Sequence, residues 1–372
     1  MGPLRPWVIG KMPSVFRGKD RFPLDHACFL VLSLFAIGYP LILDRYGMID
    51  NSNYLQYFQE ATIDSWLRLM ELATSPLQAV TLLFTEEILW RAWTTVVGYF
   101  VEPMGAVYLT VSIVNLVLAA AFVRFRYRTL AMLLWLLLPF GFAVIGTYQI
   151  RQGLAFAIWM YVGLRHRRML LATVIAAFVH TTFLVVVPLA AIAVLRRCSA
   201  MMRILLSVFF SLGTALAGQM LFEQFGGRRI AVYADESFDL SYNFLLMLLL
   251  FLIFPLLAVW SKSRVFELTP TDEQAFEHYL VTYIGMTLFL VICFFLFPMG
   301  NARLPYVAVL GLIPLLANAR FIVSSQSDGR SIDTVILVSP VYLFLAYLCV
   351  KAAFEGRYAC IFIANCAAVA IG

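Results

Sequence analysis

The sequence predicts an all-α polytopic integral membrane protein. Three observations carry this. Apolar residues make up 62% of the chain and charged residues 13%, against about 45–50% and 25% in soluble domains. Apolar runs long enough to cross a bilayer recur along the whole length. Basic residues gather in short turns between those runs, as they do in cytoplasmic loops. The runs are continuous rather than alternating, which excludes a β-barrel. Helices satisfy their own backbone hydrogen bonds inside lipid. The net charge of +6 is therefore a topology signal and does not point to nucleic acid. Cys28, Cys198, Cys293, Cys349, Cys360 and Cys366 lack CxxC spacing, so neither a zinc site nor a disulfide framework is expected.

Residues 1–25 carry Arg5, Lys11, Arg17, Lys19 and Arg21, which places this segment in the cytoplasm. The basic stretch has no small-residue cleavage site behind the first apolar run, so no cleaved signal peptide is expected. Residues 26–353 read as one transmembrane domain of about nine to eleven helices, followed by a tail, 354–372. The first span is Ala27–Leu43. An external amphipathic region follows over 44–103. Within it, SWLRLMELATSPLQAVTLLF and TEEILWRAWTTVVGYF place apolar residues at helical spacing with charges between. Both suit helices lying at a membrane surface.

Spans are next expected at Met104–Val123 and Leu130–Gly146, joined by the basic turn RFRYR. Arg151 and Gln152 then open a span over Gly153–Leu164 that ends at the basic RHRR. Met169–Leu195 is apolar throughout and ends at a second basic cluster, Arg196, Arg197 and Arg203. One ordinary span would put the two clusters on opposite sides. Division at His180-Thr181-Thr182 makes a re-entrant hairpin with both ends in the cytoplasm, a shape tolerated where the turn is buried in protein or faces water. Further spans are expected at Ile204–Phe222, Tyr242–Trp260, Tyr279–Phe297, Pro305–Ala319 and Thr334–Ala353. An external loop lies at 223–241, and charged cytoplasmic loops lie at 262–278 and 320–333.

This topology collects Asp50, Glu86, Arg151, His180, Arg228, Arg229 and Arg303 on the outer side. An arginine at the centre of a membrane costs roughly 2.5–3.5 kcal/mol on insertion scales, so such residues usually line a cavity. Arginines gathered at one surface suit a phosphate or diphosphate, which the guanidinium fork binds in a bidentate manner. No P-loop, GxSxG or HExxH pattern occurs. No carboxylate pair stands at metal-ligand spacing. No metal and no cofactor are expected.

IRQGLAFAIW, a basic turn and AAFVHTTFLVVVPL together resemble the EpsG family of bacterial exopolysaccharide polymerases, relatives of the Wzy-type O-antigen and capsule polymerases. The family's Arg-Gln pair corresponds to Arg151-Gln152. Its Phe-His element corresponds to Phe178-Val179-His180, with one residue inserted. GMIDNSNYLQYF resembles the early Gly-x-Asp…Tyr element and places Asp50 and Tyr54. TEEILWRAWTTVVGYF resembles the acidic-Pro-x-aromatic segment and places Glu86, with Glu87 where the family has proline. GNARLPYVAVLGLIPLL places Arg303. The resemblance covers most of 45–320.

It implies a metal-independent, GT-C-like glycosyltransferase of the bacterial inner membrane, with its site facing the periplasm. The growing glycan would pass from undecaprenyl diphosphate to a hydroxyl of an undecaprenyl-diphosphate-linked oligosaccharide. Membrane lipid and a chain-length regulator protein are the implied partners. By chemistry, Arg151 and Arg303 suit the leaving diphosphate. His180 suits the base, with Glu86 or Asp50 in reserve. Tyr54, Gln152, Arg228 and Arg229 suit substrate binding. The rival classes are a flippase for the same lipid-linked sugars, which would show paired broken helices, and a membrane O-acyltransferase, which would need a cytoplasmic donor.

Overall fold

A computed structural model describes residues 22–42, 51–71, 75, 82–83, 85–138, 140–195, 197–225, 245, 248–249, 251–253, 255–256, 266–267, 273–296, 304–318, 320–324 and 331–333. The elements are helical, as the composition requires. They are α1 (Phe22–Ile42), α2 (Asn51–Glu60), α3 (Ile63–Glu71), α4 (Ile88–Phe100), α5 (Pro103–Phe122), α6 (Arg128–Leu137), α7 (Ile150–Met160), α8 (Met169–Val179), α9 (Val186–Ala193), α10 (Ala200–Phe225), α11 (Glu273–Leu296), α12 (Leu304–Leu310) and α13 (Leu312–Asn318). Among the described residues, Leu24–Ile42, Pro103–Phe122, Ala200–Ala217 and Gln274–Leu296 are long and apolar enough to cross a membrane. Three short strands pair in antiparallel order β1-β2-β3: β1 (Phe266–Glu267), β2 (Arg320–Ser324) and β3 (Ser331–Asp333). They join two loops of the helical body. The expected span Thr334–Ala353, most of Tyr242–Trp260 and nearly all of the 223–241 loop lie outside the described residues.

α5 is the centre. It packs against α1 on one side and α7 on another, and its Val107, Val111, Val114 and Leu118 are fully buried. Its one amide, Asn115, is also buried and fully used. Asn115 accepts from Trp135 Nε1 at 2.8 Å and donates to the Gly146 carbonyl at 3.3 Å. A buried amide left unmatched would cost about 1–3 kcal/mol. Satisfied, it fixes α6 and the start of α7 relative to α5.

Two expected spans are interrupted. Leu130–Gly146 divides into α6 and a π-helical turn, Gly141–Ile145. Pro305–Ala319 divides into α12 and α13 at Gly311. The ring of Tyr283 lies 2.6 Å from where a Gly311 Cβ would sit, so only glycine fits that approach. Tyr279 donates to the Gly311 carbonyl and Tyr283 to that of Ala308. The two phenols of α11 thus replace hydrogen bonds that the break gives up.

The run Met169–Leu195 also breaks, at His180. α8 ends there, His180 is extended, and Thr181–Leu184 form a single 3-10 turn before α9. Thr and His side chains compete for nearby backbone groups, which favours an ending here. The chain then reverses. Trp159 of α7 donates to Thr173 of α8 at 3.0 Å, and its ring meets Phe183 at 5.8 Å. The chain passes Trp159 before His180 and returns to it three residues afterwards. α9 then runs down α11 to Ala193, whose carbonyl accepts from Arg203 beside Glu277. The far end of α8 meets the turn Tyr161–Arg165, and the far end of α9 meets Arg203.

Candidate functional site

The first turn of α7 carries Arg151. Its seat is set by Gly153, where a Cβ would stand 2.2 Å from the Ile145 carbonyl oxygen. Only glycine lets α7 lie against the π-helical turn so closely. Thr147 donates to the Ala143 carbonyl at 2.6 Å and closes the turn. Trp135 stacks on Phe156 one turn further along α7. Arg151 is held by backbone and rings before its own side chain makes any contact.

The guanidinium then meets α2 and the start of α4. Nη1 donates to Glu87 Oε2 at 2.6 Å. Tyr57 lies under the cation, 4.8 Å from its ring centroid, and Tyr54 stands beside it. Such a cation over an aromatic face is worth about 0.5–1 kcal/mol when exposed and about 2 when dry. Tyr54, Tyr57 and Phe58 all meet Trp90 edge-on. This cluster fastens α2 to α4, so the tyrosines reach Arg151 from a rigid base.

Glu87 is the hinge of the arrangement. It is 4% exposed. Its backbone is left-handed, with φ 49° and ψ 60°, at the residue that starts α4. Such a conformation costs roughly 1–3 kcal/mol and concentrates at functional sites. Oε1 accepts from the Thr181 N–H at 3.0 Å and from its hydroxyl at 3.3 Å. One carboxylate therefore ties Arg151 to the turn of the α8–α9 pair. His180, next to that turn, is 4% exposed, and its Nδ1 accepts from the Thr182 N–H at 3.2 Å. With that lone pair engaged, the neutral ring carries its proton on Nε2.

A cavity of about 730 Å³ opens beside this cluster, lined by Tyr57, Trp90, Glu86, Glu87, Arg91 and Arg151 on one side and by Glu60, Asp64, Ser65 and Arg68 on the other. The second wall is α3 and the residues before it. Trp66 donates to Thr95 at 2.9 Å, and Arg91 reaches the Ser65 carbonyl at 3.4 Å. The helix expected at the membrane surface thus packs on α4 and bounds a polar space. Glu86 pairs with Arg91 at 2.8 Å.

The residues singled out from sequence fall into three groups. Arg151 and Glu86 line the cavity, and Tyr54 stands behind Arg151. His180 and Gln152 are buried and do not line it. Asp50, Arg228, Arg229 and Arg303 lie outside the described residues. Sequence reasoning passed over Glu87, Tyr57, Trp90 and Arg91. Glu87 had a signal of its own, a second carboxylate in an apolar neighbourhood, which needs a cation to be buried. No group of three or more His, Cys, Asp or Glu side chains able to hold a metal occurs among the described residues.

The family model of the EpsG family matches residues 26–362. The chain belongs to the EpsG family. No curated protein and no solved structure matches it. EpsG-family membership and the apolar helices support a general role as a membrane polysaccharide polymerase of glycosyltransferase type, with a lipid-linked oligosaccharide as substrate.

Proposed function

We propose that this EpsG-family protein extends a polysaccharide at the outer face of the bacterial cytoplasmic membrane. The growing chain is carried on undecaprenyl diphosphate. Its reducing-end sugar passes to a hydroxyl of a second lipid-linked repeat unit, and undecaprenyl diphosphate departs. The product is an exopolysaccharide, capsule or O-antigen chain, with its length set by a separate regulator protein. The observation that carries this reading is an arginine, Arg151, at the wall of a polar cavity in an otherwise apolar helical body.

Charge develops on the leaving diphosphate as the glycosidic bond opens. A guanidinium already in place lowers that barrier without reorganising, and its fork matches two phosphate oxygens. Arg151 has this role, without a metal ion, and Arg303 joins it. Tyr57, exposed at the cavity wall, is the ring placed to meet a sugar, with the buried Trp90 packed behind it. Asp50, Tyr54, Gln152, Arg228 and Arg229 belong to the substrate-binding part of this proposal.

The acceptor hydroxyl needs a proton acceptor in the cavity. Glu86 is the better placed of the expected bases: it lines the cavity, and its side chain is 38% exposed. His180 holds the helix break through Nδ1, which leaves only Nε2 for proton chemistry.

Purified protein in lipid, given a lipid-linked repeat unit, should make a ladder of longer glycans. Arg151→Ala and Glu86→Gln should each abolish the ladder in protein that still inserts. Transfer of the unit across the bilayer with no new glycosidic bond would make the protein a flippase instead.

A further inference from the structure

We infer that Glu87 is a built-in counter-anion for Arg151, occupying the guanidinium while the site is empty and yielding it to the diphosphate of the substrate. This rests on the reading of Arg151 as the diphosphate group. It adds a positioning residue that neither motif nor family pattern marks.

The charges around the cavity raise the question. Arg151 is paired with Glu87, and Arg91 with Glu86. A diphosphate arriving at Arg151 meets a neutralised pair, not a bare cation. It gains the full attraction of the guanidinium only by displacing the carboxylate. Carboxylate and phosphate compete for the same planar fork.

The geometry supplies what such an exchange needs. Glu87 lines the cavity, so an entering ligand reaches the pair directly. Arg151 Nε has no hydrogen-bond partner among the described residues. That donor is buried, so it gains a partner only when the guanidinium turns from Glu87 toward a ligand in the cavity. Most important, Glu87 has a second set of partners. Stripping the cation from a buried carboxylate normally leaves an uncompensated charge. Here Oε1 already takes two hydrogen bonds from Thr181. Those donors hold the carboxylate after Arg151 turns to the ligand. The left-handed backbone at Glu87 aims its side chain between the two partners. Because Thr181 belongs to the turn after His180, the same exchange couples occupancy of Arg151 to the helix break.

Binding of inorganic diphosphate to the full-length protein in lipid nanodiscs tests this, with a short-chain prenyl diphosphate as a second probe. Glu87→Gln keeps an oxygen for Thr181 and removes the competing charge. It should bind diphosphate about 10-fold tighter, equivalent to about 1.4 kcal/mol. Tightening with the prenyl probe alone still supports the exchange and assigns it to the lipid-borne group. Thr181→Val weakens the second set of partners and so fastens Glu87 to Arg151. It should bind about 3-fold more weakly, the size of one ordinary hydrogen bond. This variant decides the matter if Glu87→Gln does not insert. Binding that depends on Arg151 yet is unchanged or weaker in Glu87→Gln, or unchanged in Thr181→Val, overturns the inference alone. Equal binding by the native protein and Arg151→Ala overturns the underlying reading of Arg151 as well.

Discussion

Two Arg–Glu pairs among the described residues each have one buried member, and they are used differently. Arg203 of α10 meets Glu277 of α11 and also donates to the Ala193 carbonyl at the end of α9. Three helix ends are closed by one side chain, both pair members have ordinary backbone, and neither lines the cavity. Arg151 meets Glu87 across a cavity wall, over the face of Tyr57, with Glu87 in a left-handed conformation. The residue types are the same. What differs is the surroundings: the first pair lies away from the cavity and joins helix ends, and the second faces a space that a ligand can enter. A buried ion pair by itself says little about function, because its desolvation roughly offsets its attraction. The polar space next to it carries the functional reading.

Arginine-to-lysine exchange at Arg151 should expose the difference most sharply. Arg151→Lys keeps a charge and loses the fork. Polymer formation should fall by roughly 10²–10³, the loss typical of one missing oxyanion-type donor, in protein that inserts at a normal yield. Near-native polymer from this variant would erase the distinction between the pairs.

Removal of the other arginine should act on stability instead. Arg203→Ala leaves Glu277 and the Ala193 carbonyl without their partner. The expected destabilisation is roughly 3–5 kcal/mol, read as a lower unfolding temperature in detergent. Activity per folded molecule should stay within about two-fold. A folded but inactive Arg203→Ala would place that pair in the reaction too.

Glycine substitutions sharpen the contrast at smaller scale. Gly153→Ala forces its methyl into the Ile145 carbonyl oxygen and should lose roughly 1–3 kcal/mol. Because Arg151 is two residues away, activity should fall as well. Gly213 of α10 has nothing within 4 Å of the place a methyl would take, so Gly213→Ala should be neutral or stabilise by roughly 0.4–1 kcal/mol. Equal effects at the two positions, measured by thermal unfolding, would count against the close approach at Gly153.

The smallest effect is expected at His180. A glutamine oxygen can accept from the Thr182 N–H as Nδ1 does. His180→Gln should keep most of the activity and an unchanged pH profile, whereas His180→Ala should lose both the bond and part of the stability. An acid limb that vanishes in the Gln variant would restore His180 as the proton acceptor.

Several of these features are legible in the amino-acid order. The apolar runs expected at Met104–Val123 and Tyr279–Phe297 are helices, the second beginning at Glu273, inside the expected 262–278 loop. The break at His180-Thr181-Thr182 is visible because polar side chains and basic flanks interrupt an apolar run. Arg151 stands out because a guanidinium at membrane depth is expensive without a purpose. Other features have no linear signal. The interruption at Gly311 depends on a ring of Tyr283 that approaches from another helix. The cavity depends on α3 leaning against α4 through Trp66 and Arg91.

Residue order alone is enough for the class of protein, the long apolar helices near its start, middle and end, the helix break at His180 and the arginine beside it. These follow from hydropathy and charge, which are properties of each residue and its neighbours in the chain. Which carboxylate meets that arginine is a matter of packing in three dimensions. Glu86 and Glu87 are adjacent and chemically identical, and the family pattern points to Glu86. At the start of a helix the two side chains point in different directions, and the left-handed backbone of Glu87 aims its carboxylate at Arg151 and Thr181, while Glu86 turns to Arg91. A side chain's direction depends on dihedral angles set by the packing of α2, α4, α7 and the α8–α9 turn together, and no spacing along the chain encodes it.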